Sequence, residues 1–220
     1  MKQRQAAILN SIISQGMLPL FFHEDAEVSL QVVRSLYKAG IRVLEYTNRG
    51  PSALENFSLL TKTQQKEMPD LFLGIGTIKT VREAADFIDA GADFIIAPII
   101  NPEVAQLAAK YRLLWCPGCM TPTEISLAQK KGAKLIKLFP ANILGADFLN
   151  AIKEVFPGQL FMPTGGVELN HDNISSWFKA GVCAVGMGSK LITQRILKQQ
   201  LFEQLTIDTK KALNLVKAAR

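Results

Sequence analysis

Short apolar runs recur along the chain and alternate with segments whose apolar residues follow helical spacing. The runs start about 20 to 29 residues apart, which leaves room for one strand, one helix and two short loops each time. This alternation is typical of βα units built around a parallel sheet. The eight predicted strands cover residues 17–22, 42–47, 71–75, 93–97, 113–116, 134–138, 160–162 and 183–186.

Glycine and threonine mark the ends of the predicted helices. Gly40, Gly91, Gly132 and Gly181 each stand just before a strand. Glycine readily adopts the left-handed conformation that ends a helix, so we expect a helix to stop at each of them. Residues 121–124 (TPTE) combine a capping threonine, a proline at the first helical position and a glutamate at the third, which predicts that a helix begins there.

Eight βα repeats in 220 residues indicate a (β/α)8 TIM barrel, with an open doubly wound sheet as the alternative. An additional amphipathic helix is predicted over residues 3–14, before the first strand, and a terminal helix over the last twenty residues. No segment has the composition of an interdomain linker. We therefore expect a single domain over residues 1–220.

The composition narrows the class of protein. With 48% hydrophobic and 20% charged residues, the chain is neither collagen-like nor broadly disordered. Its longest uncharged stretch, residues 5–22, is broken by polar residues and a proline, so neither a membrane span nor a secretory signal is expected. The net charge of +6 suits acidic small molecules, whereas scattered basic residues do not indicate a nucleic-acid partner. Three cysteines favour a reducing cytoplasm over a disulfide framework.

The end of the second predicted strand carries an acid and a cation. Glu45, Thr47 and Arg49 share one parity, so they are predicted to project to the same side of the strand. In a barrel, the functional groups come from the carboxyl ends of strands and the loops that follow. A structural salt bridge of Glu45 with Arg49 or Arg42 is the alternative interpretation.

The sixth predicted strand contains two lysines of opposite parity. Lys134 stands at its start and is expected to be solvated, whereas Lys137 stands near its end among Ile136, Leu138 and Phe139. Burial lowers the pKa of an amine, and a neutral amine is a nucleophile toward carbonyl groups. Lys137 is therefore a candidate for Schiff-base catalysis, with a lysine whose ammonium group reaches solvent as the alternative.

Glycine-rich turns follow the last two predicted strands, at residues 163–166 (PTGG) and 186–189 (GMGS). Backbone amides in such turns can approach an anion closely, and barrels commonly bind phosphate at this position. A short helix is predicted to start near Ser189 and to add its positive end. Residues 74–77 (GIGT) resemble half of a dinucleotide fingerprint, but Lys79 stands where a third glycine is required, so that interpretation is rejected.

A CxxC motif lies within residues 115–119 (WCPGC), which raises the possibility of a redox dithiol. Its place at the exit of the fifth predicted strand instead suggests a turn that leads into the next helix. Only Cys183, His23 and His171 are left to complete a metal site, and they are far apart in sequence. A zinc site is therefore poorly supported. We expect no cofactor.

Six motifs, in their order and spacing, resemble those of the 2-dehydro-3-deoxy-6-phosphogluconate (KDPG) and 4-hydroxy-2-oxoglutarate (KHG) aldolase family, and together they extend over nearly the whole chain. The family consists of metal-independent class I aldolases on a (β/α)8 barrel, and its members are usually homotrimers. The motifs are LEYTNRG (44–50), GIGT (74–77), CPGCMTPTE (116–124), KLFPA (137–141), PTGGV (163–167) and GMGS (186–189).

The resemblance implies a role for each matched residue. Lys137 would form the imine and Glu45 would be the acid and base, while Arg49 and Thr77 would contact the carboxylate of pyruvate. The remaining matches are Phe139 and Thr164, which line the site, and Gly165, Gly166, Gly188 and Ser189 at the phosphate end.

The implied reaction is cleavage of KDPG to pyruvate and glyceraldehyde 3-phosphate, and of KHG to pyruvate and glyoxylate. Gly50, Asn142 and residues 97–99 differ from the usual family pattern, so the galactonate epimer (2-dehydro-3-deoxy-6-phosphogalactonate), a non-phosphorylated substrate or another phosphate-binding barrel aldolase remains open. The non-enzymatic alternative is a sugar-phosphate binding protein.

Overall fold

Strands and helices alternate along the chain in this computed structural model, which describes residues 2–220. All eight predicted strands are present, with bounds that differ from the prediction by at most about two residues. The strands are β1 (Met17–Phe21), β2 (Val43–Thr47), β3 (Phe72–Gly76), β4 (Phe94–Ile96), β5 (Leu114–Cys116), β6 (Gly118–Cys119), β7 (Leu135–Leu138), β8 (Leu160–Pro163) and β9 (Val185–Met187).

The predicted helices at both ends of the chain are also present, and Thr121 and Glu124 form the predicted capping box. Gly40, Gly91 and Gly181 have the positive φ angles expected of residues that end helices. The helices are α1 (Lys2–Gln15), α2 (Ala26–Lys38), α3 (Ala53–Glu67), α4 (Val81–Asp89), α5 (Pro102–Tyr111), α6 (Pro122–Lys130), α7 (Ala141–Ile152), α8 (His171–Ala180), α9 (Gln194–Gln199) and α10 (Phe202–Ala219). No helix within residues 2–220 is long and apolar enough to cross a membrane.

The strands form a curled parallel sheet in two ladders. The larger ladder has the order β5-β4-β3-β2-β1-β9, and the smaller has the order β6-β7-β8. Pro117 separates β5 from β6, and its carbonyl accepts from the Lys137 amide at 2.9 Å. At the other side, a single parallel bridge joins Thr164 to Gly186. Because the order is sequential and the first strand pairs with the last, the doubly wound alternative, whose order reverses at a switch point, does not occur.

Apolar side chains fill both faces of this sheet. A larger outer layer packs between the strands and the surrounding helices. On the concave face, an inner cluster contains Ile8, Ile12, Leu18, Val43, Phe94, Ile96, Leu114, Cys116, Leu135, Met162 and Ala184. Ile8 and Ile12 belong to α1, so this helix covers the amino ends of the strands. The carboxyl ends remain as the place for a site.

The prediction of a short helix near Ser189 is wrong. The segment after β9 is a turn, in which the Gly188 carbonyl accepts from the amides of Leu191 at 3.0 Å and Ile192 at 2.9 Å. The helix begins at Gln194, where the Thr193 side chain caps it. The glycine pattern shows that the chain turns after β9, but the point at which helical geometry resumes depends on that cap.

Candidate functional site

A lysine and a glutamate are buried together on the concave face of the sheet. Lys137 of β7 is 4% exposed and Glu45 of β2 is fully buried. Their side chains approach to 3.9 Å between Nζ and Oε1, which is longer than a hydrogen bond, so neither group is fixed to the other. The sequence singled out both residues, and the fold brings them together.

The burial of Lys137 has a different cause from the one the sequence suggested. Its neighbours Ile136 and Leu138 belong to the outer layer, whereas Leu135 belongs to the inner cluster. Side chains alternate between the two faces of a strand, so Lys137 points inward with Leu135 and away from Ile136 and Leu138. The predicted contrast with Lys134 is confirmed, because Lys134 is exposed.

The carboxyl group of Glu45 has no fixed partner. Neither of its oxygens has a hydrogen-bond partner within the described residues. Burial raises the pKa of Glu45, while the positive charges of Lys137 and Arg49 act in the opposite direction. The salt bridge with Arg42 does not form, because Arg42 pairs with Asp70. A buried carboxyl with both oxygens unbonded can exchange protons with a bound molecule.

Two glycines of β3 make room for inward-pointing side chains. A Cβ atom at Gly76 would lie 1.7 Å from Oε1 of Glu45, and one at Gly74 would lie 2.2 Å from the ring of Phe94. Gly76 therefore has a positioning role that the sequence analysis missed. The signal was the two-residue spacing of these glycines, which places both on the same face of a strand.

A cleft of about 250 Å³ opens at the carboxyl ends of the strands, next to the buried pair. Phe139 connects the two, since it lines the cleft and its ring centroid lies 5.2 Å from the Lys137 Nζ. Seven of the predicted site residues line this cleft: Arg49, Phe139, Thr164, Gly165, Gly166, Gly188 and Ser189.

The turn after β8 is compact because it contains glycines. Gly165 and Gly166 have φ angles of 93° and 78°, a region that side chains rarely adopt. A Cβ atom at Gly166 would also lie 2.4 Å from the Cβ of Asn142. The Thr164 hydroxyl is buried and has no partner among the described residues. The turn therefore presents backbone and an unbonded hydroxyl group to the cleft.

Thr77 is the one predicted site residue that lies outside both the buried pair and the cleft lining. It directly follows Gly76, and its φ of 63° is unusual for a β-branched residue. Strain of this kind concentrates at functional sites, which is consistent with a binding role for Thr77.

The CxxC motif does not form a paired dithiol. Cys116 belongs to the inner cluster and Cys119 to the outer layer, and both thiols are free. Burial raises the pKa of Cys119 to about 12 and that of Cys183 to about 11, which disfavours the reactive thiolate. Among residues 2–220, no three histidine, cysteine or acidic side chains are grouped as a metal site would require.

An ion pair at the rim of the cleft was not predicted. Lys190, which lines the cleft, places its Nζ 2.8 Å from Oε1 of Glu168. Each residue follows one of the two glycine turns, and nothing in the local sequence links them. Their pairing arises only because β8 and β9 are neighbours in the fold.

Comparisons with known proteins agree with this geometry. The family model for KDPG and KHG aldolase matches residues 8–207. A 2-dehydro-3-deoxy-phosphogluconate aldolase from Treponema pallidum is 31% identical over 91% of this chain and 93% of its own length. A probable 2-dehydro-3-deoxy-6-phosphogalactonate aldolase from Rhizobium meliloti is also 31% identical, over 81% of this chain and 79% of its own length.

A solved structure shares the fold. The KDPG aldolase from Legionella pneumophila, captured with pyruvate as a covalent carbinolamine intermediate, superposes with a TM-score of 0.84. It is 28% identical and covers 92% of this chain and 96% of its own. The family match over most of the chain, with the relatives of similar length, shows that the chain belongs to the KDPG and KHG aldolase family.

Proposed function

We propose that this protein is a class I aldolase that cleaves 2-dehydro-3-deoxy-6-phosphogluconate to pyruvate and glyceraldehyde 3-phosphate, and 4-hydroxy-2-oxoglutarate to pyruvate and glyoxylate. The buried pair of Lys137 and Glu45, 3.9 Å apart and free of fixed hydrogen bonds at the carboxyl, carries this proposal. The names of the matched aldolases and the pyruvate carbinolamine captured in the Legionella pneumophila enzyme support it.

The first half of the reaction forms the imine. The neutral amine of Lys137 attacks the C2 ketone, and the resulting carbinolamine loses water to give a protonated imine. Proton transfers accompany both events. Glu45 transfers these protons in this proposal, because its carboxyl lies beside Lys137 with both oxygens free of hydrogen bonds and burial raises its pKa.

The second half breaks the carbon–carbon bond. Glu45 accepts the proton of the 4-hydroxyl, the C3–C4 bond breaks, and its electron pair moves into the protonated imine to form an enamine. The aldehyde departs. Protonation at C3, through Glu45 and water, restores the imine, and hydrolysis then releases pyruvate and the free amine of Lys137.

The two ends of the substrate contact different parts of the site in this proposal. Arg49 and Thr77 hold the carboxylate of the pyruvate portion, and Arg49 is suited to this because its guanidinium can bind a carboxylate at two points. Phe139 and Thr164 line the central part. The phosphate end is formed by Gly165, Gly166, Gly188 and Ser189.

We further propose that the two ladders form one (β/α)8 barrel in a single domain over residues 1–220. The pairing of β1 with β9, the Lys137 contact to Pro117 and the bridge from Thr164 to Gly186 support closure.

We also propose a homotrimer in the cytoplasm. Exposed apolar residues follow neighbouring strands at the carboxyl end of the sheet and offer a contact surface: Ile99 (49% exposed), Met120 (40%) and Ile143 (65%). The three free thiols suit a reducing compartment.

The test is pyruvate release, followed with lactate dehydrogenase, from KDPG, its galactonate epimer and KHG. Purified protein should release pyruvate from KDPG and KHG, the Lys137→Ala variant should release none, and Lys134→Ala should match the unmodified protein. Faster cleavage of the galactonate epimer than of KDPG would contradict the gluconate assignment. Binding of KDPG without any turnover would establish the sugar-phosphate binding alternative.

A further inference from the structure

The ion pair between Lys190 and Glu168 stands where the phosphate end of the cleft is proposed. Both side chains are about half exposed, 50% for Lys190 and 43% for Glu168. Glu168 follows Gly166 by two residues, and Lys190 follows Gly188 by two. The pair therefore joins the two glycine turns at the rim of the cleft.

Hydrogen bonds fix the backbone at or next to both residues. The Glu168 amide donates to Oδ1 of Asn173 at 2.9 Å, which fixes this loop to the first turn of α8. On the other side, the Leu191 amide donates to the Gly188 carbonyl at 3.0 Å and closes the turn that carries Lys190. The backbones are thus fixed, while the long side chain of Lys190 can change partner.

The charged side chains that line the cleft are all positive. Among its residues in the described chain, Arg49 and Lys190 are the cations, and none is acidic. They follow β2 and β9, the two strands that flank β1, so the lining carries a positive charge on either side of that strand. A substrate with an anionic group at each end matches this arrangement.

We propose that Lys190 selects phosphorylated substrates and that Glu168 is its partner only while the cleft is empty. The substrate phosphate replaces the Glu168 carboxylate on the Lys190 ammonium. A half-exposed ion pair contributes little stability, so it is readily exchanged, whereas a phosphate offers more charge and three acceptor oxygens. This inference rests on the proposed function, since it assumes the phosphate end described above.

The test compares KDPG with 2-dehydro-3-deoxygluconate, which differs only in lacking the phosphate. Lys190→Ala should raise KM for KDPG about tenfold, and leave kcat and the KM for the non-phosphorylated compound unchanged. Lys190→Arg should retain most of the affinity for KDPG. Lys198→Ala is the matched control, because Lys198 is an exposed lysine that does not line the cleft, and it should change neither KM.

Glu168→Gln supplies an independent readout. Freed from its carboxylate partner, Lys190 should bind phosphate more readily, so the KM for KDPG should fall several-fold. This gain should vanish when Lys190 is alanine. Equal effects of Lys190→Ala on both substrates, or equal effects of Lys190→Ala and Lys198→Ala, would overturn the inference.

Calorimetry with inorganic phosphate separates this inference from the proposed function, because it requires no turnover. Lys190→Ala should weaken phosphate binding while Lys198→Ala leaves it unchanged. If the unmodified protein releases no pyruvate yet shows this pattern, the proposed aldolase activity is wrong and the phosphate site stands. If it releases pyruvate and Lys190→Ala binds phosphate normally, the inference about Lys190 is wrong and the aldolase stands.

Discussion

Gly76→Ala is a perturbation that moves the Glu45 carboxyl without changing any reacting group. The added Cβ atom would lie 1.7 Å from Oε1, 2.5 Å from Cδ and 2.8 Å from Cγ of Glu45. Real side chains essentially never approach a Cβ closer than 3.0 Å, so Oε1 and the new atom must separate by about 1.3 Å more. The φ of Gly76 is not in the positive range, so the backbone itself accepts alanine.

The expected effect is on turnover. A misplacement of about 1 Å in a catalytic group costs on the order of 10²-fold in rate, so kcat should fall by about that factor. The added methyl group also overpacks a filled interior, at about 1–3 kcal/mol in the free energy of unfolding. Cleavage of KDPG coupled to lactate dehydrogenase gives kcat, and urea unfolding gives the stability.

Gly74→Ala is the matched control, because it lies on the same strand and face and its Cβ would overlap the ring of Phe94 at 2.2 Å. It should cost comparable stability but leave kcat within several-fold. Glu45→Asp in the Gly76→Ala background withdraws the carboxyl by one methylene group and should recover part of the loss. A Gly76→Ala protein that is folded and cleaves at the unmodified rate would refute the placement of the Glu45 carboxyl as the catalytic base.

Three further predictions use the same assay. Glu45→Gln should lower kcat by about 10² to 10⁴-fold and abolish the acid limb of the pH profile. In the unmodified protein, burial raises the pKa of Glu45. Activity should therefore be lost as pH falls through a value above the usual pKa range of glutamate. Loss of activity only within the usual glutamate range would contradict the assignment of Glu45 as the base. Gly166→Asp places a carboxylate at the proposed phosphate end, and Gly166→Ala is its control because it causes the same backbone strain and the same contact with Asn142 without the charge. Relative to Gly166→Ala, Gly166→Asp should raise KM for KDPG far more than for KHG, whereas equal changes on both substrates would refute that location. Cys116→Ser with Cys119→Ser should keep turnover within several-fold, and complete loss in a folded protein would restore a role for the thiols.

Hydrophobic pattern predicted the elements of this fold well, because each predicted strand is a separate apolar run and a glycine stands before several of them. The sequence predicts a turn at Pro117 and Gly118 that leads into the next helix, but a short strand, β6, follows Pro117 and pairs with β7. Neither β6 nor the start of α9 was predicted, since each depends on which backbone groups find partners in the folded chain. The carbonyl of Pro117 accepts from Lys137, far along the sequence. A contact of this kind cannot be predicted from the residues next to Pro117 in the sequence.

The sequence predicted the site residues that stand out locally, but not those whose roles depend on contacts formed in the folded chain. Lys137 and Glu45 stand out locally as charged residues within apolar strands. Gly76 and the pair of Lys190 with Glu168 do not, because their roles arise from the register of neighbouring strands. Glu45 lies opposite Gly74 in the ladder of β2 and β3, and this register is what brings its carboxyl against Gly76.

Borohydride trapping with pyruvate shows directly whether Lys137 forms the imine. Reduction of the imine leaves a stable adduct, and peptide mass spectrometry identifies the lysine that carries it. We expect one adduct, on Lys137, which Lys137→Ala abolishes and Lys134→Ala leaves intact. An adduct on Lys134, or no adduct in a protein that still cleaves its substrate, would contradict this expectation.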